Sequence, residues 1–300
     1  MPIHALSVVD SAADIHPDAI VGPFCVVKGN VSLGPGVELR NHATVYGRTR
    51  IGAGTIIFPG AVVGTDPQDL KFRGEDSETI IGQHCRIHEA VTVSKGTASG
   101  GMKTEIGDHC LIMAYAHVAH DCIIAEHVVI GNNTQLAGHI KVGRKAIIGG
   151  MVGLHHFATI GQLALVGSMS GVRFDVPPFM IAEGNPAEPR NINQIGMRRD
   201  GWSEEHIQAV RDAFRQLYHD RGSKPIAEAL AAVRATTPVD DKHPVHLLCS
   251  WLEEHLQTSV KGRIGEAHRA PVVGGKAAKP ARRETPRASS NPGLQSGGTH

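Results

Sequence analysis

Aliphatic residues recur at every sixth position through most of the first 178 residues of this chain. One unbroken run extends from Ile106 to Val172, and an earlier run begins at Ile15. A small residue often lies two positions before the aliphatic one, as Ala116 does before Val118. This six-residue period is typical of a parallel β-helix, in which three hexads form one triangular coil of about 18 residues. We therefore expect an all-β solenoid whose coils stack at about 4.8 Å.

The core of such a solenoid must be filled by small side chains. The 300 residues include 35 glycines, and only 4% are aromatic, which suits a backbone with many tight turns. No CxxC pair is present, and the number of cysteines is odd, so neither a disulfide framework nor a cysteine-rich zinc site is indicated. We interpret four of the five cysteines as small packed side chains, because they occupy the small-residue position of the hexad: Cys25, Cys85, Cys110 and Cys122.

Two interruptions of the period predict loops that leave the solenoid, at residues 64–79 and 94–105. The first preserves the phase of the hexads, whereas the second shifts it by one residue. Long loops on a rigid scaffold usually serve binding or assembly. Because the hexads stop after the two prolines that end at residue 178, we assign residues 1–178 to a β-helix domain.

A small helical domain is predicted for residues 179–258. Ser203 can cap a helix with an acidic first turn, and two further helices are expected near residues 225–235 and 245–258. Residues 259–300 are rich in Gly, Pro, Ala and Ser and carry an excess of basic side chains. This composition predicts a disordered basic tail.

The overall charge gives no sign of a nucleic-acid partner, since 30 basic and 29 acidic side chains nearly cancel. The amino-terminal segment lacks the basic and long apolar regions of a secretory signal. No apolar run is long enough to span a bilayer. We therefore expect a cytoplasmic protein without stable membrane insertion.

Residues suited to catalysis concentrate around His120. Because one coil contains about 18 residues, His120, Gly138 and His156 should form a column along one corner of the solenoid. Gly138, stacked above His120, has no side chain that would cover its own backbone N–H, so this N–H should lie open beside the imidazole of His120. This is the arrangement of a general base next to an oxyanion donor. Asp121 follows His120 directly. For His156 and its neighbour His155, a merely solvated surface histidine is the alternative interpretation.

Three histidines of this region, His117, His120 and His139, could instead bind a zinc ion. The same kind of β-helix occurs in metal-dependent lyases that resemble γ-class carbonic anhydrase. A further alternative outside enzymes is a structural solenoid that uses its basic tail as an interaction arm.

Six motifs follow one another within residues 15–258: PQDLKFRGE, AYAHVAHDC, NNTQLAGH, IIGGMVGLHHF, SGVRFDVPPFMIAEGN and NINQIGMRRDG. In this combination the chain resembles the UDP-N-acetylglucosamine O-acyltransferases, a hexapeptide-repeat family that catalyses the first acyl transfer of lipid A biosynthesis. The resemblance leaves out the tail. It implies a left-handed parallel β-helix, the hand known for this repeat, and a homotrimer with each active site between adjacent subunits.

The resemblance also implies roles for individual residues. His120 removes the proton from the 3-hydroxyl of UDP-N-acetylglucosamine, Asp121 orients its imidazole, and the N–H of Gly138 stabilises the oxyanion. The acyl donor is an (R)-3-hydroxyacyl thioester of acyl carrier protein, and no cofactor, metal ion or covalent acyl-enzyme is needed. Ten further residues are implied in substrate binding: Gln68, Asp69, Lys71, His117, His139, His155, His156, Ser168, Asn193 and Arg199.

Two positions depart from the family pattern. His156 stands where glutamine is expected, which affects part of the nucleotide contact. Ser168 occupies a position that in the family helps set how deep the acyl chain can enter the protein. A side chain larger than glycine there should shorten the acyl pocket, so we expect a medium-length 3-hydroxyacyl group and name no particular chain length. The nearest alternative is a related N-acyltransferase that acts on a glucosamine amine. That enzyme usually has an extra N-terminal uridine-binding domain, whereas the hexads begin here at Ile15.

A basic surface could dock the acidic carrier protein. The candidate residues for this surface are Lys71, Arg73, Lys103, Arg198 and Arg199.

Overall fold

A computed structural model describes residues 3–257 of the chain. The strands of these residues form three sheets that wind around one core, and each coil adds one strand to each sheet in turn. We call these sheets the first, second and third faces, in the order in which the chain meets them. The parallel β-helix predicted from the hexads is therefore confirmed.

The first and second faces are parallel throughout, and equivalent hexads pair in register, as Val118 does with Leu136. The first face contains Val8–Val9, Val26–Lys28, Thr44–Tyr46, Val62–Thr65, Thr92–Ser94, His117–Val118, Gln135–Leu136, Gly153–Leu154 and Gly171–Val172. The second face contains Asp14–Ile15, Ser32–Leu33, Arg48–Ile51, Glu78–Ile81, Lys103–Ile106, Ile123–Ile124, Lys141–Val142 and Thr159–Ile160.

The third face continues further along the chain than the other two and ends in an antiparallel hairpin. Its strands are Ile20–Val21, Glu38–Leu39, Ile56–Ile57, Arg86–Ile87, Leu111–Ile112, Val129–Ile130, Ile147–Ile148, Leu165–Val166, Met180–Gly184 and Ala187–Ile192.

The aliphatic hexad positions point into the core. In one coil, Ile112, Val118 and Ile124 come from three different faces, and all three are buried. The corners between faces use left-handed backbone at residues other than glycine, including Asp121 at φ 60° and His139 at φ 63°. Few such residues adopt this conformation outside turns. Backbone hydrogen bonds at the corners link successive coils, as from the N–H of His139 to the carbonyl of His120, and equivalent side chains stack in columns, as His109 does on His127.

The two loops lie where the interruptions of the period place them. The first leaves the β-helix between strands Val62–Thr65 and Glu78–Ile81, and the second between Thr92–Ser94 and Lys103–Ile106. Strand pairing thus continues a few residues into both predicted segments, and the irregular backbone is confined to residues 66–77 and 95–102.

The β structure extends past the predicted domain boundary at residue 178. Strand Met180–Gly184 pairs in parallel with Leu165–Val166, and Ala187–Ile192 turns back along it. Phe179, Met180 and Ala182 are fully buried, because they cover the open end of the core. The hairpin therefore belongs to the third face and not to the helical part.

In the part of the chain that the structure describes, four helices follow the hairpin: α1 (Gln194–Arg199), α2 (Glu204–Phe214), α3 (Ile226–Thr236) and α4 (Pro244–Gln257), with a π-helical segment at Arg215–His219. Ser203 caps α2 as expected, since its side chain accepts a hydrogen bond from the N–H of His206. No cap was predicted for the short helix α1. Asp200, the residue after α1, accepts a hydrogen bond from Arg144 and so holds the helix against the β-helix.

The basic tail predicted for residues 259–300 lies outside the described residues. Among residues 3–257, no helix combines the length and the apolar character that crossing a membrane requires.

Candidate active site

His120 and Asp121 form a hydrogen-bonded pair at the corner between the first and second faces. Nδ1 of His120 lies 2.7 Å from Oδ2 of Asp121. A carboxylate only accepts hydrogen bonds, so the proton of the neutral imidazole lies on Nδ1, and Nε2 keeps a free lone pair. The side chain of Asp121 is completely buried, whereas that of His120 remains 13% exposed. The pair therefore presents one basic nitrogen to solvent and hides the carboxylate behind it.

The second loop surrounds the carboxylate of Asp121. The backbone N–H of Thr97 donates to Oδ1 at 2.8 Å, and the Thr97 hydroxyl donates to Oδ2 at 2.6 Å. Thr104 accepts a hydrogen bond from the backbone N–H of Asp121 at 2.8 Å. At Gly100, an added Cβ would lie 1.9 Å from the carboxylate carbon, so only glycine fits there.

Thr97 and Gly100 of the second loop, and Thr104 of the strand Lys103–Ile106, were not predicted as part of the site. The only signal was indirect: the second loop shifts the hexad phase just before the segment that contains His120.

The environment of Asp121 favours its ionised form. Burial disfavours the charge, but the hydrogen bonds from His120 and Thr97 outweigh burial and hold the pKa of Asp121 below its usual value. A carboxylate that stays ionised can orient the imidazole of His120 and stabilise the imidazolium that forms when Nε2 takes up a proton.

Gly138 packs directly against the ring of His120. An added Cβ at Gly138 would lie 2.4 Å from Cε1 and 2.7 Å from Nε2 of that ring. The stacking predicted from the 18-residue coil is present, since His139 N–H donates to the His120 carbonyl and Phe157 N–H donates to the Gly138 carbonyl. Within residues 3–257, the N–H of Gly138 has no hydrogen-bond acceptor. It is therefore available beside the basic nitrogen.

Two more histidines flank the pair as neutral groups. Nδ1 of His117 lies 2.7 Å from the hydroxyl of Thr92, and the ring of His139 stacks on Phe157 with centroids 4.4 Å apart. Burial lowers the pKa of His117, and repulsion from His120 lowers it further. Burial also lowers the pKa of His139, against the opposing attraction of Asp121. Both rings can act as hydrogen-bonding groups without adding positive charge.

A cleft of about 760 Å³ opens in front of His120. Oδ2 of Asp69, from the first loop, lies 3.8 Å from Nε2 of His120 and 3.4 Å from Nζ of Lys71. Arg173 also lines the cleft and was not predicted as a site residue. Nine of the predicted residues line it: Gln68, Asp69, Lys71, His117, His120, Gly138, His139, His155 and His156.

Three predicted residues lie elsewhere. Asn193 and Arg199 line a second cavity of about 530 Å³ against the third face. The Asn193 side chain is buried there, since it caps α1 through Gly196 N–H and donates to the Leu163 carbonyl. Ser168 is exposed at the corner between the third and first faces. Within one subunit, these residues are not brought to His120.

Several side chains at this site carry atoms of the kind that bind metal ions. Ligand atoms of His120, Asp121 and His139 all lie within 4.8 Å of one another. The zinc hypothesis named His117 in place of Asp121, but Nδ1 of His117 faces Thr92. The Thr97 hydroxyl and the His120 ring both bond Oδ2 of Asp121, so this carboxylate oxygen already has two hydrogen-bond partners.

Stacked hexads with a histidine–carboxylate pair beside a bare glycine place this chain in the class of hexapeptide-repeat transferases. Residues 103–138 match the family model described as bacterial transferase hexapeptide (six repeats). Residues 175–261 match the model described as Udp N-acetylglucosamine O-acyltransferase; Domain 2.

Curated relatives narrow this class to one family. The chain is 41% identical over 233 residues to the acyl-(acyl-carrier-protein)-UDP-N-acetylglucosamine O-acyltransferase of Synechocystis sp., covering 77% of this chain and 79% of the relative. It is 42% identical over 246 residues to the enzyme of the same name from Rhizobium johnstonii, covering 82% and 89%. The chain belongs to the UDP-N-acetylglucosamine O-acyltransferase family.

Solved structures agree with this assignment. LpxA from Acinetobacter baumannii superposes with a TM-score of 0.80 at 36% identity, covering 85% of this chain and 97% of that one. The Arabidopsis UDP-N-acetylglucosamine acyltransferase superposes with a TM-score of 0.75 at 30% identity, covering 88% and 99%. The likeness to these structures also confirms the left hand predicted for the β-helix.

Proposed function

We propose that this protein transfers an (R)-3-hydroxyacyl group from acyl carrier protein to the 3-hydroxyl of UDP-N-acetylglucosamine, the first step of lipid A biosynthesis. The observation that carries the proposal is the His120–Asp121 pair, whose free Nε2 lies next to the bare backbone of Gly138. The family membership supplies the substrate class.

The proton follows a short route in this reaction. Nε2 of His120 takes the proton of the 3-hydroxyl, and the oxygen attacks the thioester carbonyl carbon. Asp121 balances the positive charge that forms on the ring. When the tetrahedral intermediate collapses, the carbon–sulfur bond breaks, and the imidazolium returns its proton to the departing thiolate. The enzyme is regenerated without a covalent intermediate or a cofactor.

The N–H of Gly138 is the proposed donor to the oxyanion. A backbone donor fixed in the corner of a rigid solenoid needs no reorganisation when charge develops on the carbonyl oxygen. Such a donor contributes roughly 3–4 kcal/mol of transition-state stabilisation in comparable enzymes. Asp69 and Lys71 line the cleft, and Asp69 lies 3.8 Å from Nε2 of His120, which supports a proposed role for both in holding the hydroxyl groups of the sugar.

The second cavity offers the features that an acyl chain and a nucleotide need. The side chains of Val129, Ile147 and Leu165 form an apolar floor on the third face. Asn193 and Arg199 lie at its polar rim. Ser168 follows the Leu165–Val166 strand at the next corner, close to one end of this floor.

A homotrimer would join the two cavities into one site. The cleft at His120 opens over the first face, and the second cavity opens over the third, so they face different directions on one subunit. Packing the first face of one subunit against the third face of the next would complete three equivalent sites around a threefold axis.

Mixed trimers test this arrangement. His120→Ala and Arg199→Ala subunits, each nearly inactive alone, should regain activity when they are expressed together. In randomly assorted trimers, about a quarter of the sites then combine an intact His120 with an intact Arg199 from the next subunit. If the mixture is no more active than the two separate variants, both residues act within one subunit and the shared site is wrong.

The carrier protein could dock near the same opening. Lys71, Arg73 and Arg199 are exposed basic residues, as the docking hypothesis requires. Lys103 pairs with Glu105 at 2.6 Å, and Arg198 pairs with Glu204, so part of their charge is already balanced. A cytoplasmic location remains part of this proposal.

The direct test is an assay of acyl transfer after exhaustive chelation, with UDP-N-acetylglucosamine as acceptor and 3-hydroxyacyl carrier protein as donor. The proposal predicts transfer at full rate without added metal. A matched assay with the 3-amino analogue of the sugar nucleotide separates O-acyl from N-acyl transfer. Transfer only to the amine would identify the N-acyltransferase alternative. Lyase activity restored by zinc, without acyl transfer, would identify the metal-dependent one.

A further inference from the structure

The cleft contains a cluster of basic side chains beyond the general base. His155 and His156 follow the Gly153–Leu154 strand, and Arg173 follows the next strand of the same face, one coil later. The N–H of His155 donates to the Val172 carbonyl at 2.8 Å, which fixes Arg173 directly above His155. All three side chains are exposed and line the cleft. We call them the upper basic cluster.

Negative charge is scarce around the upper basic cluster. Among the described residues, Asp69 is the only acidic one that lines the cleft, and it already contacts Lys71 at 3.4 Å. Between residues 3 and 257, no carboxylate forms an ion pair with Arg173, His155 or His156. The guanidinium of Arg173 therefore keeps all its donors available to a ligand.

The basic groups also influence one another. Burial lowers the pKa of His156, and repulsion from His155, Lys71 and His120 lowers it further. Like charges collected in a cleft are relieved when an anion binds among them.

We propose that Arg173, together with His155 and His156, binds a phosphate group of a substrate held in the cleft. Arg173 is then a positioning residue: its planar guanidinium matches a phosphate with two parallel hydrogen bonds. This inference rests on the proposed function and adds a specific subsite to it.

The distance of the upper basic cluster from His120, measured along the axis of the β-helix, agrees with this role. His156 lies two coils above His120, or about 10 Å, and Arg173 about one coil higher still. A sugar held with its 3-hydroxyl at His120 and its diphosphate directed along the cleft would bring a phosphate to this height. The longer phosphopantetheine arm, with its thioester at His120, can also bring its phosphate there. Both sources offer the same chemistry, so the experiment has to separate them.

The test compares Arg173→Ala, Arg173→Lys and wild type in steady-state acyl transfer. Losing charged hydrogen bonds to phosphate should raise KM about tenfold to a hundredfold, with kcat changed less than about twofold. Lysine should restore only part of the affinity, because it keeps the charge and loses the paired geometry. Arg215→Ala is the matched control, because Arg215 is an exposed arginine on the π-helical segment and lines neither cavity.

The two sources give different outcomes. A raised KM for UDP-N-acetylglucosamine, with weaker calorimetric binding of that nucleotide, identifies the diphosphate. The carrier arm is identified if the KM for acyl carrier protein rises and this increase disappears when the donor is an acyl-pantetheine that lacks the phosphate. If neither KM rises above that of Arg215→Ala, the subsite is wrong. A wild-type protein without acyl transfer would instead overturn the proposed function itself.

Discussion

The ring of His120 lies against the α-carbon of Gly138, so closely that a methyl group at Gly138 would come within 2.4 Å of Cε1. The 18-residue coil creates this contact, since it stacks the two residues at one corner of the β-helix. The general base and the proposed oxyanion donor are thus held together by rigid backbone and not by a flexible loop.

Replacing Gly138 by alanine should therefore reduce catalysis more than binding. The added methyl group pushes the imidazole out of line with Asp121, and we expect kcat to fall by about 10²-fold to 10³-fold. Calorimetric affinity for UDP-N-acetylglucosamine should change by less than about fivefold. Gly153→Ala is the control for a methyl group added to the same cleft, because Gly153 also lines the cleft but a Cβ there meets no atom within 4 Å. Equal losses in the two variants would argue against the Gly138–His120 contact.

Asp121→Asn should keep the fold but reverse the hydrogen bond to His120. The amide can donate to Nδ1, which places the imidazole proton on Nε2 and removes the base. We expect kcat to fall by about 10³-fold to 10⁴-fold, with KM nearly unchanged. Circular dichroism and thermal unfolding should match wild type. Retention of more than a tenth of the activity would show that the carboxylate does not orient the base.

Thr97→Val tests the loop that surrounds Asp121. The substitution removes the 2.6 Å hydrogen bond to Oδ2 and leaves the backbone bond from residue 97 in place. Without one of the interactions that lower the pKa of Asp121, that pKa should rise, and an NMR titration of the Asp121 carboxyl carbon would detect the change. We expect kcat to fall by about tenfold at neutral pH. A loss of activity with an unchanged pKa of Asp121 would indicate a purely structural role.

Asp200→Asn should weaken the attachment of α1 to the β-helix. Arg144 donates to Asp200 at 2.9 Å, and Lys145 and Trp202 donate to the same carboxylate. Burial opposes the charge, but Arg144 and Lys145 still lower the pKa of Asp200 below its ordinary 3.8. We expect the free energy of unfolding at pH 7 to fall by about 2 kcal/mol.

The same contacts make a prediction about pH. Because the pKa of Asp200 is lower in the folded protein, the unfolded state binds more protons around that pKa. The stabilising contribution is therefore present above about pH 4 and is lost as pH falls through the folded value. Urea unfolding at several pH values should show the difference between wild type and Asp200→Asn shrinking under acidic conditions. A difference that stays constant would contradict the charge-based explanation.

The hexad period was enough to predict the three faces and the column of His120, Gly138 and His156. It sufficed because each residue's position in a solenoid depends only on its place in an 18-residue repeat. The contacts that Thr97 and Gly100 make with Asp121 could not be predicted in this way. Thr97 and Gly100 lie in irregular backbone, where no period relates sequence position to location.

The placement of α1 escaped prediction for a related reason. Its position depends on contacts between residues that are distant in sequence and share no motif, such as Asp200 with Arg144 and Asn193 with Leu163. Asn193 and Arg199 were implied in substrate binding, yet they line the second cavity and not the cleft of His120. The hexad period could not predict this separation, because both residues lie beyond the last hexad.

The central claim is that His120 is the general base, and kcat of His120→Ala measures this most directly. After chelation and with both substrates saturating, kcat should fall by about 10²-fold to 10⁴-fold relative to wild type. His84→Ala, which changes a more exposed histidine at another corner, should keep wild-type activity. If His120→Ala retains kcat within a few-fold of wild type, His120 does not carry the proton and the proposed mechanism is wrong.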